Sequence, residues 1–150
     1  MSMGLGYHRQ SEQRLHDVTV SNGGEAPVVS SAGALVEGLK TMGAKKVSIL
    51  TPYMKPLTQL VVDYIENEGI EVHDAVSLEI PDNLDVGRQD PLAPAEHIKK
   101  VNTSGVDVVV LSACVQMPSF QSVQQVEDRL GLPVTTAAIS TVYQMLKVLA

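Results

Sequence analysis

The chain has one cysteine, Cys114, and its neighbours make it a candidate for chemistry. Cys114 follows the apolar run Val108-Val109-Val110-Leu111 and precedes Pro118, which reads as a helix start, so the thiol is expected at a strand-to-helix turn. In a parallel α/β sheet, ligands gather outside the carboxyl ends of the strands, and a helix N-terminus carries partial positive charge that favours anions and thiolates. A thiol placed there suits nucleophilic or proton-transfer work. The competing reading is a structural cysteine, because free cysteine is among the most buried residue types.

Three further loops line up with it. Tyr53 lies in Thr51-Pro52-Tyr53-Met54-Lys55-Pro56, just past a strand ending at Leu50, and Asn83 lies in Pro81-Asp82-Asn83-Leu84, past a strand ending near Leu78. Ser30 and Ser31 follow the brief Val28-Val29 run in the same way. In a parallel sheet these positions converge on one edge. A thiol, a phenol, a carboxamide and two hydroxyls form a donor-rich site without carboxylates, suited to an anion. Each also has a structural reading: Tyr53 packed beneath a loop, Asn83 favouring a turn, Ser30 or Ser31 capping the helix that contains Leu35 and Leu39.

The elements that must position these residues follow from periodicity. Val47 to Leu50 reads as a strand, and Leu57, Leu60, Val61, Tyr64 and Ile65 form one helical face that Gly69 can end. Ile70 to Leu78 is β-like; Ile98 and Val101 then belong to a helix expected to stop near Gly105. Val106 to Leu111 is the clearest buried strand, followed by a helical face of Phe120, Val123, Val126 and Leu130 closed by Gly131. Val134-Thr135-Thr136 is a short last strand, and Val142, Met145, Leu146 and Leu149 mark a terminal helix. Repeated βα units with short connections predict an α/β fold, a parallel sheet flanked by helices in three layers. His8 to Val20 does not fit this pattern: it is polar apart from Leu15 and Val18, and periodicity alone reads it as a surface helix. Gly4-Leu5-Gly6 is no phosphate loop, because no strand precedes it and a third glycine is missing.

Composition narrows the function classes. The 150 residues suit one domain, and 44% hydrophobic residues suffice for a core. No apolar stretch has transmembrane length, and Met1-Ser2-Met3-Gly4 lacks the basic and apolar regions of a signal peptide, so a cytoplasmic protein is expected. One cysteine excludes an intrachain disulfide, and His8, His16, His73 and His97 show no paired ligand spacing, which argues against a metal site. A net charge of −6, one Phe, no Trp and no basic cluster argue against nucleic acid and anionic membranes. A small molecule or another protein is the expected partner.

Five stretches carry a resemblance. Gly6-Tyr7-His8-Arg9, Pro27-Val28-Val29-Ser30-Ser31-Ala32-Gly33-Ala34-Leu35, Pro52-Tyr53-Met54-Lys55-Pro56-Leu57, Glu79-Ile80-Pro81-Asp82-Asn83-Leu84 and Leu111-Ser112-Ala113-Cys114-Val115-Gln116-Met117-Pro118-Ser119 closely resemble maleate cis-trans isomerase. That family sits in the aspartate/glutamate racemase superfamily, with arylmalonate decarboxylase as a relative. The resemblance implies a racemase-like half of a pseudo-symmetric fold, in which two α/β halves enclose the active site and each supplies one catalytic cysteine. It implies that residues 1–24 form a helix continuing from a missing N-terminal half, 25–136 an α/β domain, and 137–150 a C-terminal helix. By the same resemblance Cys114 matches the second catalytic cysteine, Tyr53 and Asn83 match residues that hydrogen-bond substrate carboxylates, and Val115 and the following amides lie near a carboxylate. The first catalytic cysteine has no counterpart here.

The implied chemistry explains the use of two thiols. A carbon–carbon double bond does not rotate freely, so a thiolate adds across it and leaves a single bond; the second group protonates the neighbouring carbon, and reversal after rotation releases fumarate from maleate. The missing cysteine would be the nucleophile and Cys114 the proton donor and acceptor. No cofactor is implied. The implied ligand is a small dicarboxylate, maleate or fumarate, and a homo-oligomer or association through exposed apolar surface is expected. Two alternatives stand beside this reading: a racemase or decarboxylase using the same thiol on another acid, and a non-catalytic dicarboxylate-binding module.

Overall fold

A computed structural model describes residues 7–150, with side chains from Arg9 onward. The stretch Gly4-Leu5-Gly6 and the first residues of the 1–24 segment lie outside the described residues. In order, the elements are α1 (Tyr7–Ser21), α2 (Ser31–Thr41), β1 (Lys46–Thr51), α3 (Lys55–Asn67), β2 (Glu71–Ser77), α4 (Asn83–Gly87), α5 (Ala93–His97), β3 (Val108–Ser112), α6 (Val123–Leu130), β4 (Val134–Thr136) and α7 (Ala137–Leu149). Short 3-10 turns at Ile98–Lys100 and Phe120–Ser122 extend α5 and introduce α6.

The strands form one sheet in the order β2-β1-β3-β4, every pairing parallel. Side chains alternate across it, as strand geometry requires. Val47, Ile49, Val108 and Val110 face one layer, packed with Leu35 and Leu39 of α2 and Ile65 of α3. Leu50, Val109 and Leu111 face the other, against Val86 of α4, Ala95 of α5, Ile98 and Val126 of α6. Burial on both faces is why these runs read as continuous apolar stretches rather than alternating ones. The step from β1 to β2 runs one way along the sheet, and the step from β2 to β3 returns past β1. Right-handed crossovers therefore put the helices on opposite faces, and the reversal lies between β1 and β3.

Helix ends follow their sequence signals. Gly69, at φ 84°, leads the chain out of α3, and Gly131, at φ 63°, closes α6 in the left-handed conformation that glycine adopts without strain. Gly38 serves a different purpose: a Cβ there would stand 2.8 Å from Ser140 Oγ, so its absence lets α7 lie directly on α2.

Four expectations need correction. Val28-Val29 is not a strand; the chain is irregular there and the sheet begins at β1. Val101 is extended (φ −94°, ψ 130°), and the helical stretch ends at Lys100, short of Gly105, because the chain must straighten toward β3. Phe120 is 74% exposed in the 3-10 turn rather than on the buried face of α6. Pro118 does not start a helix; the Cys114 loop continues until Phe120. Among the described residues no helix is long and apolar enough to cross a membrane.

Asp107, just before β3, accepts the backbone N–H groups of Lys45 and Lys46, both at 2.9 Å, and so pins the start of β1 to that of β3. These bonds hold its carboxyl below the ordinary carboxylate range. A carboxylate lowered in the folded state stabilises above its unfolded pKa, and that contribution disappears as pH falls through the folded value. Asp107→Asn should therefore flatten the acid limb of a stability-versus-pH curve while changing its shape little at neutral pH. An unchanged acid limb in urea denaturation would remove Asp107 from the acid response.

Candidate active site

β1 and β3 are neighbours, so the loops leaving their carboxyl ends start side by side. Thr51 ends β1 and Pro52 carries the chain to Tyr53; Ser112 ends β3 and Ala113 carries it to Cys114. Tyr53 packs against the buried cluster that contains Cys114, and its phenol feels the charge of that thiol. Burial first, then the hydrogen bond to Cys114 and the repulsion a thiolate would exert, push the Tyr53 phenol well above its ordinary range. Tyr53 is therefore a neutral phenol at physiological pH, beside the thiol.

The Tyr53 loop is held from below and from the side. Leu78 N–H donates to Thr51 O (2.9 Å), Glu79 N–H to Tyr53 O (3.2 Å) and Ile80 N–H to Pro52 O (2.9 Å), so the β2 edge keeps pairing past its end. Glu79 pays for this with a left-handed backbone (φ 56°), a strained state for a residue with a Cβ and one that clusters near functional sites. Beneath the loop, three hydroxyls form a chain: Thr51 Oγ1 lies 2.7 Å from Thr58 Oγ1, and Ser77 Oγ donates to Thr58 Oγ1 at 2.7 Å. The first turn of α3 is thereby tied to both β1 and β2.

Cys114 itself is 6% exposed. Its loop is anchored to β1 by Ala113 N–H donating to Leu50 O at 3.0 Å. Val115 is half exposed, and among the described residues its N–H meets no protein acceptor, which leaves an amide beside the thiol for a ligand. Asn83 begins α4 and is exposed; Asp82 caps that helix, accepting Leu84 N–H at 2.6 Å. The Gln116 carboxamide donates to Asn83 O and so ties the Asn83 turn to the Cys114 loop.

Tyr53, Asn83, Cys114 and Val115 thus lie along one edge of the sheet, with Tyr53 and Cys114 in contact. Ser31 lies on the same side, lining with Tyr53, Ala113, Leu35 and Tyr64 a largely apolar cavity of about 290 Å³ between α2 and α3. Ser30 is occupied in the capping role: its Oγ accepts Gly33 N–H at 3.0 Å and donates to Glu12 at 2.7 Å. The expected helix N-terminus at Cys114 is absent, since α6 begins only at Val123. The thiol sits instead in the apolar cluster, with the Tyr53 ring packed on it. Periodicity missed Ser112, Gln116 and Thr58; the one available signal was a serine two residues before the cysteine, a spacing at which a hydroxyl can accept the later N–H. Among the described residues no group of His, Cys, Asp or Glu could hold a metal ion.

A phenol and the Val115 amide thus stand beside a buried thiol at the sheet's reversal point. A family model described as arylmalonate decarboxylase matches residues 1–150, the whole chain. The chain belongs to that family. It is 60% identical over 147 residues to the maleate isomerase of Geobacillus stearothermophilus, an alignment covering 98% of this chain and 59% of that protein. A maleate isomerase of Nocardia farcinica is 41% identical over 148 residues, 96% of this chain and 57% of the relative. Among solved structures, the maleate isomerase of Pseudomonas putida S16 in a cysteine-to-alanine variant with maleate superposes at a TM-score of 0.93, with 50% identity, covering 98% of this chain and 59% of that one. The chain is thus homologous to maleate cis-trans isomerases and spans about three-fifths of their length. Unliganded arylmalonate decarboxylase, at 16% identity and a TM-score of 0.81, shares the fold. The parallel sheet flanked by helices is the racemase-like half-domain of these relatives.

Proposed function

We propose that this chain carries the proton-transfer half of a maleate cis-trans isomerase site. The observation that carries the reading is the Tyr53 phenol packed beside the buried Cys114 thiol where β1 and β3, neighbours in the sheet, end. In this reading a second thiol, from outside these 150 residues, adds as thiolate to one olefinic carbon of maleate, and Cys114 S–H gives its proton to the other. The former double bond is now single and rotates. Cys114 thiolate then takes a proton back from the same carbon, the carbon–sulfur bond breaks, and fumarate leaves with both thiols restored. Tyr53 O–H stabilises the Cys114 thiolate between these transfers, and Val115 N–H and the Asn83 carboxamide hold a carboxylate where charge builds. A covalent adduct of this kind has a precedent: a cysteine-to-serine variant of the Nocardia farcinica enzyme, 40% identical in structure alignment, carries a covalently bound succinylcysteine intermediate. We keep decarboxylation as the second reading, since the relatives that support isomerisation are up to 60% identical to this chain and the solved arylmalonate decarboxylase is 16% identical. Val142 (55% exposed), Leu146 (63%) and Leu149 (74%) of α7 present apolar surface through which the chain associates.

The test is proton NMR of maleate with two samples: the 150-residue chain, and the same chain joined behind the first half of the Geobacillus relative. The joined protein should form fumarate and the 150-residue chain negligible amounts, because Cys114 is its single thiol. An inert joined protein that is folded would overturn the isomerase reading. Fumarate from the short chain, lost on Cys114→Ser, would overturn the need for a second thiol.

A further inference from the structure

Ser112 is fully buried at the carboxyl end of β3, and its hydroxyl spends both of its bonds on one residue. Ser112 Oγ donates to Cys114 O at 2.7 Å and accepts Cys114 N–H at 3.2 Å. We propose that Ser112 is a positioning residue that fixes the direction of the Cys114 thiol, an inference that rests on the proton-transfer role given to Cys114 above.

The geometry supports it in three steps. A hydroxyl has one proton, and that proton is committed to Cys114 O, so Ser112 is no relay in the reaction. The N–H and C=O on either side of the Cys114 Cα are tied to the same strand atom, so the backbone at that residue has no free rotation that keeps both bonds. The preceding N–H, of Ala113, is tied to Leu50 O in β1, the strand that leads to Tyr53. The Cα–Cβ bond of Cys114 is thus referenced to the strand that leads to Tyr53, which packs on the cluster containing Cys114, although the next two residues, Val115 and Gln116, are exposed. The same clamp removes Cys114 N–H from the set of ligand donors, so the carboxylate subsite starts at Val115.

Iodoacetamide alkylation of Cys114 at a fixed neutral pH reads the thiol's position without requiring turnover. In the 150-residue chain, Ser112→Ala should raise the alkylation rate about fivefold or more, the ratio that corresponds to losing one net hydrogen bond. Ser48→Ala is the control: Ser48 is equally buried on β1 but donates to Asn102 O at 2.6 Å, away from the thiol, so its loss weakens the fold without touching the clamp. That variant should alkylate at the parent rate under native conditions. Ser112→Thr keeps the hydroxyl and should behave as the parent, whereas its isostere Ser112→Val should behave as Ser112→Ala. A Ser112→Ala rate within twofold of the parent, an equal rise in Ser48→Ala, or Thr and Val variants that match would each overturn the proposal, as would failure of both hydroxyl-free variants to fold while Ser48→Ala folds. The isomerase reading is judged separately, by fumarate from the joined protein: an inert joined protein with the alkylation pattern intact discards the reaction and keeps the clamp.

Discussion

Cys114→Ser, made in the chain joined to an isomerase first half, is expected to lower maleate turnover by about 10²–10⁴-fold with the fold retained. A serine hydroxyl is close in size to a thiol but far weaker as an acid, so it neither gives a proton to carbon at neutral pH nor holds the negative charge left behind. Tyr53 beside the thiol is kept protonated by burial first and then by Cys114, and in the proposed reading its O–H takes up charge at the sulfur. In the proposed reading the loss appears in kcat, because the carboxylate contacts assigned to Val115 N–H and Asn83 do not involve the thiol. Steady-state kinetics by NMR or ultraviolet absorbance, with circular dichroism as the folding check, decides it. Retention of a tenth or more of the parental kcat would remove Cys114 from the proton transfer.

The largest effect on stability is expected from Leu39→Ala, at about 2–5 kcal/mol. Leu39 is completely buried and joins α2 to the sheet through a cluster that includes Val47, Ile49, Ile65, Val108 and Val110. Collapse into the resulting hole is limited on both sides. The sheet is fixed by its ladder, and α2 is already at closest approach to α7 where Gly38 meets Ser140. A marginal total of about 5–15 kcal/mol makes such a loss a large fraction of the whole. Urea denaturation should show a lower midpoint at an unchanged slope; a loss below about 1 kcal/mol would mean that α2 relaxes into the space.

Much of the fold was legible because its signals are local. Val47 to Leu50 and Val108 to Leu111 are buried on both faces, so their apolar runs are unbroken, and Gly69 and Gly131 stop helices by a backbone preference that no packing overrides. Val28-Val29 and Phe120 were misread because apolar residues outside an element look like those inside one. The meeting of Tyr53 with Cys114 was legible from strand ends alone, a rule of topology. The groups that hold them were not. Ser112, Thr58 and Ser77 act through side-chain hydroxyls whose partners depend on strand register and on which layer a helix occupies, and neither is written in periodicity.

Gly69 and Gly131 lie at the amino ends of β2 and β4, the edge of the sheet opposite Cys114, and a Cβ at either would meet nothing within 4 Å. The turns there serve only to return the chain, and they open to space. That edge is therefore where a new pair of termini, a surface tether or a fluorophore can be introduced with least disturbance. A sensor built this way would report on the molecule from its far side and leave the thiol's entrance clear.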